Sequence, residues 1–422
     1  MRDITMISEF ISENRKTGNR FLELMRAEQV SVRIVHHNDA DGIAAAAALA
    51  LAFEKLGYTY RLFPIEKIYE RLVEKLHVGT DDVIIYADLG GQSSGLIGRY
   101  AAGNRQVIIL DHHLPGGPVP GNTVHLNPEL FEISGDDEAS GASVCALFAR
   151  ELLREAGLNT ADDEAWLAVL SVIGAVGDGQ ERNGTFTGMN EMFFAAATKE
   201  GSIQKVGSDL IVPRLQERTV REIVEIVTLL GSVGFYSGDA STAGVLLLGG
   251  NQDEAVRRAE ELEEIKTASF EREVERIRRE GLAQSDHFQW IDVQDRFAPM
   301  GVKAIGLFLE LLIAQGLTEK DKYLFGFQYL PAEIPGIGRL ETGLTKISSR
   351  LHPELRGAIE AGKRPDFMTL VPDTTALVEG TADGCHRFAA GSTIDRGREE
   401  DFIRALEMVL HKNNPASAPA DQ

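Results

Sequence analysis

From Val32 onward the chain alternates short runs of β-branched and aliphatic residues with longer stretches whose apolar positions recur every three or four residues. Runs at Arg33–His36, Thr59–Phe63, Val83–Tyr86, Gln106–Leu110 and Thr123–Leu126 read as strands, and Ile43–Leu56 and Ile65–Leu76 as the helices between them. Such alternation, continued to about Gly201, is the signature of βαβ units around a parallel sheet. The Ala44–Ala50 run predicts a helix lying close on that sheet, because its small side chains permit near approach. Ahead of this region, Met1–Gln29 reads as a leading helix of mixed polarity.

The pattern changes between about Ser202 and Gln284. Asp253–Glu280 is dense in Glu and Arg, with Val256, Leu262, Ile265, Phe270, Val274 and Ile277 at helical intervals, which predicts a long, charge-laced connecting helix. A second α/β pattern begins at His287, with strands over Gln289–Val293 and Tyr323–Gln328, a helix over Gly301–Ala314, and a glycine-rich, basic stretch after them. The expectation is a two-lobed α/β protein. Residues 1–205 form a parallel-sheet domain, 206–284 a helical connector, 285–412 a smaller α/β domain, and 413–422 a polar, disordered tail. No internal repeat is present.

Composition narrows the picture. With 422 residues, 43% hydrophobic and 25% charged, the chain can build more than one globular core. Cys145 and Cys385 stand far apart without a Cys-x-x-Cys pair, which argues against a disulfide framework or a thiolate zinc site and fits a reducing cytosol. The first residues carry charge where a signal peptide needs an apolar core, and no run approaches a membrane span, so a cytoplasmic protein without membrane association is expected. The net charge of -21 is unlike the basic footprint of most nucleic-acid binders. Net charge governs solubility and steering rather than a site, and exposed charges are screened beyond about 10 Å, so a local basic groove is compatible with an acidic body.

Chemistry enters where the strands end. The first apolar run leads into His37-x-Asp39-x-Asp41-Gly42, the third into Asp88, and the fourth into Asp111-His112-His113. In a parallel sheet these ends share one edge, so residues distant in sequence converge on one crevice. A fourth element, the apolar helix Trp166–Val176, runs into Gly174-Ala175-Val176-Gly177-Asp178. A lone aspartate at a strand end is usually a helix cap or loop solvator. Four such elements in order point instead to a metal site, and carboxylates mixed with imidazoles suit Mn²⁺ better than Mg²⁺.

This order of motifs resembles the DHH phosphoesterase superfamily, and His37–Gly42, Gly174–Glu181 and Gly188-Met189-Asn190 are most similar to its archaeal-type RecJ-like nucleases. The resemblance implies two Mn²⁺ ions, with Mg²⁺ as the alternative. His37 and Asp39 would hold the first, Asp41, His112 and Asp178 the second, and Asp88 would bridge. Asp111 would orient a neighbouring imidazole, and His113 would donate a hydrogen bond to the phosphate. His36, His77, His125, His287, His352 and His411 read as surface or structural residues, and Asn127-Pro128 and Glu138–Ser143 resemble family segments too, though a turn followed by a capped helix explains them equally well.

Two C-terminal motifs resemble the DHHA1 substrate-binding domain that accompanies this catalytic domain. In Lys346-Ile347-Ser348-Ser349-Arg350, a lysine, a hydroxyl and a guanidinium at alternate strand positions could grip a phosphate. In Asp383–Gly391, Gly384 and His386 match the family's glycine-rich loop, while Asp383 and Cys385 replace two of its glycines. A solvated edge strand and a plain turn are the bland readings of these motifs, and Phe388 reads as a core residue before a base-stacking one. The resemblance implies an exonuclease on single-stranded DNA or RNA. Its alternatives are a phosphatase or phosphodiesterase for very short oligonucleotides or cyclic dinucleotides and a replication or repair scaffold, and its implied partners are nucleic acid and a replisome or repair-helicase component.

Overall fold

The structure is a computed structural model that describes residues 2–28, 30–119, 121–340, 343–383, 385 and 387–413. Contacts divide the chain into one unit of residues 1–261 with 334–338 and another of 262–333 with 339–422.

In the first unit, α1 (Arg2–Ala27) precedes β1 (Val32–His37), α2 (Ala40–Leu56), β2 (Tyr60–Ile65), α3 (Glu70–His77), β3 (Val83–Ala87), α4 (Ser94–Tyr100), β4 (Val107–Leu110) and β5 (Thr123–Leu126). The five strands form one sheet in the order β2-β1-β3-β4-β5, and every pair is parallel. Its central strands are buried along their length, as a sheet covered on both faces requires. The order reverses between β1 and β3, which is where parallel α/β sheets open a crevice at their carboxyl ends. The alanine-rich α2 is buried along most of its length and packs on α5 (Gly141–Glu155) and α6 (Ala161–Gly177). A Thr160–Asp163 capping box starts α6, which ends in Asp178.

The helix expected over Ile65–Leu76 begins only at Glu70, because Ile65 is held in the ladder opposite His37. Glu66 therefore lies at the sheet edge. After α7 (Gly188–Lys199) a small antiparallel sheet follows, of β6 (Gln204–Val206), β7 (Asp209–Val212) and β8 (Arg218–Thr219). Then come α8 (Val220–Thr228), a π-turn at Leu229–Val233, and α9 (Ala240–Leu247).

The long helix α10 (Gln252–Glu280) forms as expected, with Leu262, Phe270, Val274 and Ile277 buried, whereas Ile265 is exposed. The second unit then adds β9 (Ala283–Gln284), β10 (Phe288–Gln294), α11 (Lys303–Ala314), β11 (Tyr323–Tyr329), then β12 (Glu333–Ile334) and β13 (Gly338–Arg339), which straddle the two boundaries of the first unit's 334–338 segment, and after them β14 (Leu344–Arg350), α12 (Pro353–Glu360), α13 (Phe367–Leu377), β15 (Thr381–Asp383), β16 (Ala390–Asp395) and α14 (Glu399–Asn413). Six of its strands make a mixed sheet, β15-β16-β14-β11-β10-β9, in which β10 and β11 are parallel and the other pairs antiparallel. One face carries an aromatic core of Phe288, Tyr323, Phe325, Phe327, Phe367 and Phe402. On the other face Gly326 lets α11 approach, since a Cβ there would lie 2.6 Å from Ile305. Among the described residues no helix is long and apolar enough to cross a membrane. The tail expected from 413 lies, beyond Asn413, outside the described residues.

Candidate metal centre

The carboxyl ends of β1, β3 and β4 deliver the expected groups to one place. Asp39 caps α2: its Oδ1 accepts from the Gly42 amide at 3.0 Å, while its Oδ2 lies 2.8 Å from His37 Nδ1. Asp88 follows β3 with φ of +61°, a left-handed conformation uncommon outside glycine, asparagine and aspartate and concentrated at functional sites. Its side chain is 2% exposed. One oxygen lies 3.7 Å from His37 Nδ1 and the other 3.3 Å from His112 Nε2.

Around His112 the arrangement is denser. Its Nδ1 lies 2.6 Å from the Gly135 carbonyl, which can only accept, so Nδ1 carries the proton and the Nε2 lone pair is free to ligate. That nitrogen has Asp88, Asp178 and Asp41 oxygens at 3.3, 3.6 and 3.8 Å. Both His112 Nε2 and Asp88 Oδ1 are buried without a well-formed hydrogen bond. Buried polar atoms are normally satisfied, and lone pairs converging on one point fit a cation. Among the described residues three groups of candidate ligands result, His37–Asp39–Asp88, Asp41–His112–Asp178 and Asp88–Asp111–His112–His113, each with its ligand atoms within 4.8 Å of one another.

The electrostatics agree with this geometry. Burial and then the charge of Asp41 push the Asp88 carboxyl well above its usual range, and burial with Asp178 raises Asp41 to about 6. Burial alone would lower His112, but the facing Asp88 carboxylate, with those of Asp178 and Asp41, raises it well above the ordinary imidazole value. With protein groups alone, the centre has more negative charge than its histidines offset. A divalent cation would relieve that imbalance and invert the local proton affinities.

Asp111 and His113 share the third group with Asp88 and His112, but the Asp111 oxygens are already engaged by protein donors. Asp111 Oδ2 accepts from the Gly91 amide at 2.6 Å, and its Oδ1 accepts from the His112 amide at 2.8 Å and meets His113 Nδ1 at 2.7 Å. Despite burial, the His113 charge and hydrogen bond hold the Asp111 carboxyl far below its ordinary range. Burial opposes and Asp111 favours the protonated His113 ring, whose proton affinity is raised.

Other groups hold the ligands; they lie in segments the sequence marks as family-like, which gave them no individual role. The Gly141 and Ala142 amides at the start of α5 donate to the two Asp41 oxygens at 2.7 and 2.9 Å, a favourable site for an anion. Gly141 is required there: a Cβ would stand 2.3 Å from Asp88 Oδ1. Gly174 is equally constrained, since its Cβ would meet Asp41 Oδ1 at 2.1 Å. Gln180 Nε2 donates to Asp178 at 2.9 Å and to the Gly135 carbonyl at 2.8 Å, and Asn190 Nδ2 donates to Gln180 at 2.6 Å. The Ser140–Ser143 cap signal was legible, but it gave no sign that the capped helix would face Asp41.

The remaining candidates lie in the second unit. Lys346, Ser348 and Arg350 alternate along β14 on the side of α11, with Lys346 and Ser348 buried. Arg350 Nε bonds Glu310 at 2.7 Å, and its Nη1 donates to the Ser349 carbonyl. Phe388 packs against the aromatic core with the Arg356 guanidinium over its ring. Gly384 and His386 lie outside the described residues.

Residues 31–172 match the family model of the DHH family, N-terminal domain. The chain is 29% identical over 209 residues to the uncharacterized protein MJ0831 of Methanocaldococcus jannaschii, covering 48% of this chain and 45% of that one. It is 30% identical over 153 residues to the single-stranded-DNA-specific exonuclease RecJ of Thermus thermophilus, covering 34% of this chain and 22% of that one. The matches thus span less than half the length of either curated relative. A crystal structure of exonuclease RecJ bound to manganese aligns over 94% of each chain with a TM-score of 0.61 at 19% identity, a likeness of fold.

Proposed function

The chain carries a DHH-family N-terminal domain in a RecJ-like fold, and on that premise we propose that it is a metal-dependent phosphodiesterase acting on the ends of single-stranded nucleic acid. The observation that carries this reading is the pair of three-ligand sets, with Asp88 of the first lying 3.3 Å from His112 of the second. In this reading His37, Asp39 and Asp88 would hold one divalent ion, and Asp41, His112 and Asp178 the other, with Asp88 placed to serve both. Two such ions make water nucleophilic at neutral pH and offset charge on the attacked phosphate. The mixed histidine and aspartate donors favour Mn²⁺, and a RecJ of the same fold has been solved with manganese.

The chain's own groups supply the rest. Asp111 fixes His113 through Nδ1, leaving Nε2 of this half-exposed ring to donate to a phosphate oxygen. Gln180 and Asn190 keep Asp178 in place, and the start of α5 does so for Asp41. Lys346, Ser348 and Arg350 of the second unit are assigned to substrate binding.

End-labelled DNA and RNA oligomers of graded length, incubated with Mn²⁺ or with chelator, test the reading. Stepwise shortening that requires Mn²⁺ is expected, and undiminished hydrolysis by metal-stripped protein in excess chelator would refute it. The net charge of -21 favours a second reading, a phosphodiesterase for very short oligonucleotides. Cleavage confined to the shortest members of the series would select that one.

A further inference from the structure

The first metal-binding motif is gripped from behind. Asn38 lies between His37 and Asp39 and is fully buried. Its Nδ2 donates to the Gly231 carbonyl at 3.0 Å and reaches Glu66 Oε1 at 3.5 Å. Glu66 directly follows Ile65, the ladder partner of His37, so it stands beside Asn38 on the sheet edge. It is buried as well, and a buried carboxylate is costly unless hydrogen-bonded. Tyr236 hydrogen-bonds it, and burial together with the Glu66 charge keeps the Tyr236 hydroxyl protonated as a donor.

Gly231 forms the opposing jaw. It lies in the π-turn Leu229–Val233, a form of helix found mostly as short insertions at functional sites. A Cβ on Gly231 would stand 2.2 Å from the Asn38 carbonyl oxygen, so only glycine lets this segment close on the motif. Residue 38 is thus held by its side chain and pressed at its backbone by a turn 193 residues away. The Asp41–His112–Asp178 set has different supports: the Gly135 carbonyl, the start of α5, and the Gln180–Asn190 pair.

We propose that Glu66, acting through Asn38, and Gly231 position His37 and Asp39 and so set the affinity of the first ion independently of the second. The proposal rests on the two-ion reading above. Glu66 is a positioning residue: loss of a group that orients metal ligands typically costs about 10–100-fold in affinity.

The test is Mn²⁺ titration by calorimetry and electron paramagnetic resonance, with amide hydrogen exchange over residues 37–43 of the metal-free protein, on wild type, Glu66→Ala, Glu66→Gln and Gly231→Ala. In Glu66→Ala and Gly231→Ala one ion should weaken about 10–100-fold while the other is unchanged, and exchange over 37–43 should quicken. Glu66→Gln, whose amide oxygen can accept the Asn38 bond, should stay within roughly threefold of wild type in affinity. Equal weakening of both ions, unchanged affinity and exchange in Glu66→Ala and Gly231→Ala, or a Glu66→Gln defect as large as that of Glu66→Ala would each overturn the proposal. Wild type binding fewer than two ions would instead sink the two-ion reading, and the exchange arm would still decide whether Glu66 and Gly231 hold the loop.

Discussion

Two buried carboxylates, Glu273 in the second unit and Asp88 in the first, are shifted in opposite directions. In the second unit Glu273, 4% exposed, meets Arg296 through Nε and Nη2, both at 3.0 Å, and Arg276 through Nη2 at 2.6 Å. Burial would raise its carboxyl, but the two guanidiniums outweigh that and hold it below the usual range. In the first unit Asp88 is as deeply buried, yet its ion pairs are with imidazoles and another carboxylate stands beside it, so its shift runs upward. Burial is common to both, and the sign of the shift follows the neighbours. A carboxylate matched by guanidinium is a finished structural contact, whereas carboxylates that face one another leave a charge for something outside the protein to balance.

Asp88→Asn should break the comparison with the largest effect. Asparagine tolerates the left-handed backbone at this position, as few other residues do. Both ions should be lost or greatly weakened, and turnover should fall by on the order of 10³-fold or more, since two-metal chemistry loses its shared ligand. Metal-free protein should nonetheless melt at a higher temperature than wild type, because a buried like-charge contact has gone. Two bound ions by elemental analysis together with near-normal turnover would remove Asp88 from the bridging role. His113→Ala should come next, losing roughly 10²–10³-fold in kcat, typical of one transition-state donor, while keeping both ions. Metal loss in that variant would move His113 into the ligand set.

Glu273→Gln should show the opposite behaviour: a stability loss on the order of 1–3 kcal/mol from its charged hydrogen bonds, with turnover per folded molecule unchanged. The sign with pH follows from the depressed folded-state carboxyl. Its contribution is fully present above the unfolded carboxyl's range and disappears as pH falls through the lower folded value. Denaturant midpoints of wild type and Glu273→Gln should therefore converge on acidification below about pH 4. A gap that stays constant down to pH 2 would mean that the lost contact was not electrostatic.

Much of this contrast was legible in the chain, and what was hidden has a physical reason. His37, Asp39, Asp41, Asp88, His112 and Asp178 sit where apolar strands and one helix stop, and a parallel sheet brings such ends together whatever lies between them. The supports at Gly141, Gln180 and Asn190 could not be assigned, because their pairing depends on how helices pack over the sheet. Glu66 was hidden by periodicity: Ile65 fits the apolar spacing of α3, and only the ladder to His37 shows that the strand runs on. In β14 the alternation placed Lys346, Ser348 and Arg350 on one side, but nothing in the sequence indicated that Glu310 of α11 would meet Arg350.

That last pair supplies the smallest and most discriminating prediction. Arg350 resembles Arg296 in meeting a carboxylate, but Glu310 is 55% exposed, and exposed pairs of this kind contribute about 0–1 kcal/mol. Exchanging such a partner for a phosphate costs little, so the pair is compatible with an anchoring role that the Glu273 pair could not fill. Arg350→Ala should then raise KM on long substrates more than it lowers kcat, since a remote anchor is shared by ground and transition states. The salt dependence of binding should lose about one phosphate's share, a slope change of roughly 0.7 on single strands. A p-nitrophenyl phosphodiester, too short to need an anchor, should be cleaved equally by variant and wild type. Glu310→Gln should shift KM the other way, by a few-fold at most given the modest worth of an exposed pair. Equal losses on long and minimal substrates in Arg350→Ala, with Glu310→Gln silent, would return Arg350 to the structural class that Arg296 exemplifies and withdraw β14 as a substrate anchor.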